Sequence, residues 1–192
     1  MKHKLFLLIG GGILVAGATV WGTMHAWNAS ASDVGQPEVT PQTGFIKYHV
    51  TGDSMSSTIR DGDWLLAKAN PGHVARGDVI ILRYPKDTTK VYCRRVLAMA
   101  GDHVVTKYFS NVKLTTIYNA EHPEGLSFPQ GVMPHGNAYG QYETTVGANM
   151  LYVVGDNSTP GSSYDSDQWG LLPMADVTGL VQQRLSPSPR NF

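Results

Sequence analysis

The chain has a single cysteine, Cys93, among its 192 residues. One cysteine excludes an internal disulfide framework, and no CxxC or HExxH spacing is present to hold zinc. Cys93 stands in an apolar, strand-like stretch, where a lone cysteine serves as a small buried hydrophobe. An excess of charge is also missing. Lys and Arg total 15 and Asp and Glu total 15, so the formal net charge is zero. Nothing in that balance points to the basic surface a nucleic-acid partner requires. After Met24 no stretch keeps a 3.6-residue apolar period over three turns, which excludes long amphipathic helices from the main part of the chain. No internal repeat is present.

What is there begins with the uncharged run Leu5 to Met24, preceded by Lys2 and Lys4. As a helix this run is about 30 Å long, the thickness of a hydrocarbon core. Lysines before the run keep the N-terminus in the cytoplasm and place everything after Met24 outside. Trp21 and Trp27 suit the outer interface. Two readings stay open. Residues 1–24 are a cytoplasmic tip and transmembrane anchor, or the segment is a secretory signal cut after Ala29-Ser30-Ala31. The run exceeds the ~7–15-residue core of a signal peptide, which favours the anchor. On either reading the main domain lies outside the cytoplasm, and on the first the lipid bilayer is a partner.

Residues 25–44, rich in Ser, Pro, Gln and Thr, read as a flexible tether. From Phe45 the pattern is short apolar runs such as Asp78 to Tyr84, Val91 to Met99 and Val177 to Arg184. Turn signals separate them: Asp61-Gly62-Asp63, Arg76-Gly77-Asp78, Ala100-Gly101-Asp102. This predicts a mostly β fold, an antiparallel domain over residues 45–108 and 150–186. Residues 109–149, rich in Gly, Pro, His, Asn and Tyr, have few clear strands; they read as an inserted β/loop subdomain or as long surface loops. Residues 187–192 form a tail.

A serine in Gly52-Asp53-Ser54-Met55 is, by itself, most often a turn serine bonding local backbone. A nucleophile needs a base to take its proton and donors aimed at the developing oxyanion. Gly52 permits close approach of a substrate backbone, and the Ser54 amide is one available donor.

Four boxes change that reading by their order. They are Gly52-x-Ser54-Met55 with Thr58; Asp61-Gly62-Asp63; Arg76-Gly77-Asp78 followed by Tyr92 to Asp102; and Gly155-Asp156-Asn157 followed by Ser163-Tyr164-Asp165-Ser166 and Trp169-Gly170. Together they resemble the bacterial type I signal peptidase (leader peptidase) family, membrane-anchored serine endopeptidases with a Ser–Lys pair. The resemblance covers about residues 45 to 185, apart from the middle insertion. It implies a β-rich catalytic domain with a second domain inserted, held at the membrane by an N-terminal helix. It implies no metal or cofactor. It implies as substrates exported preproteins with signal peptides, cut after small side chains at the outer face of the membrane.

Residue by residue, the resemblance gives Ser54 the nucleophile's place and Arg94 the place of the general-base lysine. Ser163 matches a serine that orients that lysine, and Asp165 a structural acid. Gly52, Met55, Asp156 and Asn157 fall in the supporting boxes. Several positions depart from the pattern. Ser57 and Ala100 stand where proline is usual, and Asp167 where arginine is usual, a reversal expected to remove an ion pair with Asp165. A Ser–Lys mechanism needs a neutral amine, and a guanidinium does not deprotonate in proteins, so Arg94 is not competent as the base. Lys90 is about 13 Å back along a strand at ~3.3 Å per residue. His49, His73 and His103 substitute only if the fold brings them to Ser54. Two functions follow as expectations: a signal peptidase with an unusual base, or an inactive paralogue that binds exported proteins or assists surface-protein or pilus assembly.

Overall fold

The computed structural model describes residues 34–35, 37–39, 44–56, 58–109, 112–132, 140–157, 159, 162–186 and 190–192. The expected membrane segment Leu5 to Met24 and the Ala29-Ser30-Ala31 motif lie outside the described residues. Among the described residues no helix is long and apolar enough to cross a membrane.

The strands in chain order begin with β1 (Glu38–Val39), β2 (Phe45–His49), β3 (Trp64–Ala69), β4 (Val79–Tyr84) and β5 (Asp87–Ala98). Next come β6 (His103–Phe109), β7 (Val112–Tyr118), β8 (Leu126–Val132) and β9 (Gly140–Thr145). The last are β10 (Met150–Val154), β11 (Leu172–Pro173), β12 (Val177–Arg184) and β13 (Arg190–Asn191). A single α-helical turn, α1 (Ser166–Trp169), precedes β11. The described chain is therefore mostly antiparallel β, as its turn-broken apolar runs predict.

A larger sheet runs β1-β2-β3-β12-β4-β5-β10-β11, with β13 on β12; a second, four-stranded sheet runs β8-β7-β6-β9. Strand β4 shows why the larger sheet has two covered faces. Val79, Ile80, Ile81 and Leu82 are all buried. The two-residue period of a strand sends Val79 and Ile81 into one core and Ile80 and Leu82 into another. The first core also holds Met55, Ile59, Leu65 and Cys93; the second holds Tyr92, Val96, Leu151 and Trp169. A third cluster, with Ala98, Val104, Ile117 and Tyr152, joins the two sheets.

One stretch agrees with the first of its two readings, and another differs from its reading. Strands β7, β8 and β9 run through residues 109–149 and pair closely, although that stretch has few strand signals. Pro123 and Gly125 precede β8, whereas Pro129 and Gly131 stand within it. The later part of residues 25–44 is not a plain tether. Val34 is buried and bridges Val50, and β1 pairs with β2, so this segment lies along the edge of the larger sheet.

Candidate active site

Ser54 sits in a tight loop between β2 and β3. Gly52, at φ +92°, takes a left-handed conformation that suits glycine, and its N–H donates to Asp61 Oδ1 at 2.8 Å. The Ser56 N–H donates to Asp53 O at 2.9 Å, and the N–H groups of Thr58 and Ile59 donate to Met55 O at 2.8 and 2.7 Å. Met55 and Ile59 bury their side chains in the first core and so anchor the loop. Ser54 itself is 6% exposed, at the edge of that packing.

The segment after β10 forms the second wall. Asn157 N–H donates to Ser54 O at 2.9 Å, and Asn157 Nδ2 donates to Asp53 O at 2.8 Å. Asp156 N–H donates to Met55 Sδ at 3.4 Å. Gly155 makes this approach possible. A Cβ there would fall 2.3 Å from Ser163 Oγ and 2.6 Å from Ser54 O. The glycine thus lets the Ser54 loop and the Ser163 segment meet.

Arg94 lies on β5 opposite Ile80 and is only 1% exposed. Its Nη1 donates to Ser54 Oγ at 3.0 Å and to Cys93 O at 2.6 Å. Its Nε and Nη2 donate to Tyr164 O at 3.2 and 2.7 Å. The guanidinium carbon is 5.0 Å from the centroid of the Tyr92 ring. Carbonyl dipoles and an aromatic face therefore hold a buried cation against Ser54. A guanidinium has donors and no acceptor, so Ser54 Oγ is the acceptor in this contact. A lysine acting as base would need the opposite polarity.

Arg95 points to the other face of β5. It grips Asp156 through Nε to Oδ1 at 2.7 Å and Nη2 to Oδ2 at 2.5 Å, and donates to Gly77 O at 2.6 Å. The Asp156 carboxylate raises the Arg95 pKa further above its ordinary value. Asp165 is structural in its contacts. Its Oδ2 accepts from Ser163 Oγ at 2.6 Å and from Gly155 N–H at 3.0 Å, and its Oδ1 accepts from Asp167 N–H at 3.2 Å. It is the N-cap of α1, completed by a capping box with Gln168. Ser163 thus donates to Asp165, while Arg94 is held by the Cys93 and Tyr164 carbonyls.

The structure brings Gly52, Ser54, Met55, Arg94, Asp156, Asn157, Ser163 and Asp165 into one site. The other bases considered are engaged elsewhere. His49 packs on the Trp64 ring at 4.9 Å between centroids. His103 faces Thr145 and Glu143 on the second sheet. His73 lines a shallow cavity of about 220 Å³ with Met99, Met150 and Met174. Lys90 pairs with Asp87 at 3.4 Å.

Two arrangements were not legible in the sequence. Asp165 makes no ion pair with residue 167, and Asp167 forms a pair of its own. Its carboxylate accepts from the Tyr152 hydroxyl and pairs with Lys113 Nζ, which reaches over from β7 of the second sheet. Burial pushes the Lys113 ammonium down, and the nearby Asp165 charge opposes that push. The Arg95–Asp156 pair was the other. The acid at 167 is a signal that a cation sits opposite, but no spacing identifies Lys113 as its source.

Residues 40–186 match the family model described as signal peptidase, peptidase S26. A probable signal peptidase I-1 of Synechocystis is 26% identical over 156 residues, covering 74% of this chain and 71% of that protein. The mouse mitochondrial inner membrane protease subunit 1 is 32% identical over 140 residues, covering 71% of this chain and 67% of the relative. Subunit 2 of that protease from Saccharomyces cerevisiae is 33% identical over 151 residues, covering 73% and 68%. A crystal structure of a signal peptidase I from Enterococcus faecalis overlays with a TM-score of 0.41 at 23% identity, covering 56% of this chain and 96% of that one. With a family match across most of its length, the chain belongs to the signal peptidase family, peptidase S26.

Proposed function

We propose that this protein acts on exported preproteins at the outer face of a membrane as a signal-peptidase-I-like serine endopeptidase with an attenuated site. Leu5 to Met24 anchors it, Ser54 is the attacking group, and Arg94 replaces the base. The observation that carries this reading is the 3.0 Å contact from Arg94 Nη1 to Ser54 Oγ. It keeps the nucleophile in place and removes the group that would accept its proton. Loss of a positioned general base slows such chemistry by about 10²- to 10⁴-fold. The fixed cation also favours the Ser54 alkoxide over the alcohol, so residual cleavage rises with pH.

A second reading is favoured by the direction of the same hydrogen bond. On it the protein binds exported proteins, or assists surface-protein or pilus assembly, without cutting. The β-rich cleft would hold an extended segment by strand addition. Incubating a purified secretory precursor with the wild-type chain and Ser54→Ala in liposomes separates the two. Slow cleavage that disappears in Ser54→Ala supports the peptidase. Binding without cleavage at any pH, unchanged in Ser54→Ala, supports the second reading and contradicts the first.

A further inference from the structure

We infer that the cavity where the end of β5, the start of β10 and the short helical turn Met174–Asp176 meet is a binding site for a soft monovalent metal ion of the copper(I) class. Its ligands are His73, Met99, Met150 and Met174. The inference is independent of the proposed peptidase, because neither Ser54 nor Arg94 is among the residues that line the cavity.

The first observation is the kind of side chain. Three thioethers and one imidazole line a single cavity of about 220 Å³. Of the described methionines, Met55 is buried in the first core, and the other three meet here. Thioether sulfur is a soft ligand that selects copper(I), and imidazole also suits copper. No carboxylate is among the lining residues, so the groups on which magnesium and calcium sites are built are missing from it.

The second observation is the space left open. Methionine ordinarily fills irregular gaps in a core. Met99, Met150 and Met174 are instead half-buried beside a gap that they leave unfilled. The cavity is smaller than the ~300–1,000 Å³ of a pocket for a drug-sized ligand. It is far larger than the ~10–15 Å³ one water needs, so a hydrated ion has room to enter and shed its water. His73 is exposed while it lines the cavity, which puts an imidazole where an arriving ion meets the protein.

The third observation is how the ligands are anchored. Met150 pairs with Pro173 across β10 and β11, and the Met174 N–H donates to Asn149 O at 2.8 Å. Residues 150 and 174 are thereby brought side by side from distant parts of the chain. Met99 is fixed by Asp102, which accepts its N–H at 2.7 Å through Oδ2 and donates its own N–H to Met99 O at 3.0 Å. Three pinned backbones thus carry three unbranched arms, each with enough rotatable bonds to bring its sulfur onto an ion.

The test titrates silver nitrate, a redox-inert stand-in for copper(I), into the full chain in chloride-free detergent micelles. The methionine methyl groups carry an isotope label, and NMR reads each signal. The Met99, Met150 and Met174 signals are expected to shift together and saturate at one ion per chain, with Met55 unmoved and zinc(II) without effect. Calorimetry reads the variants. His73→Gln is expected to weaken the binding, and the combined change Met99→Leu, Met150→Leu and Met174→Leu to lose one silver equivalent. These leucines nearly conserve side-chain volume, and the wild-type titration stands by itself if the combined variant fails to fold. Three unmoved signals in the wild type overturn the inference. So does silver binding that is unchanged in the combined variant, or an equal response to zinc(II).

Discussion

Arg94 Nη1 stands 3.0 Å from Ser54 Oγ, and the hydrogen bond between them runs from the arginine to the serine. That direction organises the functional reading. On the proposed reading, Ser54 would need a neutral amine here to take its proton. Here the neighbour has no lone pair to offer and cannot lose its charge. The loop geometry that presents the serine is nevertheless complete, from Gly52 through the buried anchors Met55 and Ile59.

Gly155→Ala is expected to damage the site without touching a charged group. The new methyl carbon would lie 2.3 Å from Ser163 Oγ and 2.6 Å from Ser54 O, and the second contact is backbone that cannot swing away. Overpacking of this kind costs about 1–3 kcal/mol. Urea unfolding should show that loss, and peptide binding should weaken with it. An unchanged midpoint together with unchanged binding would contradict the close approach of the two segments.

Lys113 and Asp167 tie the second sheet to the α1 turn beside the site. Their side chains are 15% and 1% exposed. Removing one partner of a buried pair strands the other charge, at a cost of about 3–5 kcal/mol. Lys113→Met should therefore destabilise strongly, and the double change Lys113→Met with Asp167→Leu should recover much of the loss. Thermal unfolding of the three chains measures this. Additive losses in the double variant would show that the two residues do not act as a pair.

Asp102 gives the fold an acid limit. Burial pushes its carboxyl up, but the Met99 N–H, the Arg76 guanidinium and the Asn119 amide outweigh that and hold it below its ordinary 3.8. A carboxyl depressed on folding adds stability above its unfolded pKa and loses it as pH falls through the folded value. Stability should thus be flat above about pH 5 and fall in acid below the ordinary carboxyl range. Asp102→Asn should remove about 1–3 kcal/mol at neutral pH by leaving the Arg76 donors without their carboxylate. It should also flatten the acid limb, which denaturant titrations at several pH values will read. An acid limb as steep in the variant as in the wild type would contradict the assignment.

The sequence carries much of this. Short apolar runs such as Val79 to Leu82 and the Gly-Asp turn signals are local, so the antiparallel β class is visible in the residues themselves. The ordered boxes point to Ser54, Arg94 and Asp165 as one site because each box holds its own loop or strand. What stayed hidden depends on long-range meeting. Lys113 reaches Asp167 across 54 positions of chain (167 − 113), and nothing in its neighbourhood, Asn111 to Thr115, marks it. Arg94 is visible as an arginine where the resemblance expects a lysine, but the partners that hold it are not. The Tyr164 and Cys93 carbonyls are backbone groups, and residue types do not reveal which of those will converge. The strands of residues 109–149 are weakly marked for a similar reason. Their stability comes from pairing with β6 and with one another rather than from local propensity.

The central claim is that the arginine alone slows an otherwise assembled serine site. The most direct measurement is the single-turnover rate of precursor cleavage by the wild type and by Arg94→Lys, each in liposomes, with Ser54→Ala as the blank. The account predicts a gain of about 10²- to 10⁴-fold in Arg94→Lys, the range a positioned general base supplies, and none in the Ser54→Ala background. Fast, Ser54-dependent cleavage by the wild type, with no gain in Arg94→Lys, would contradict it.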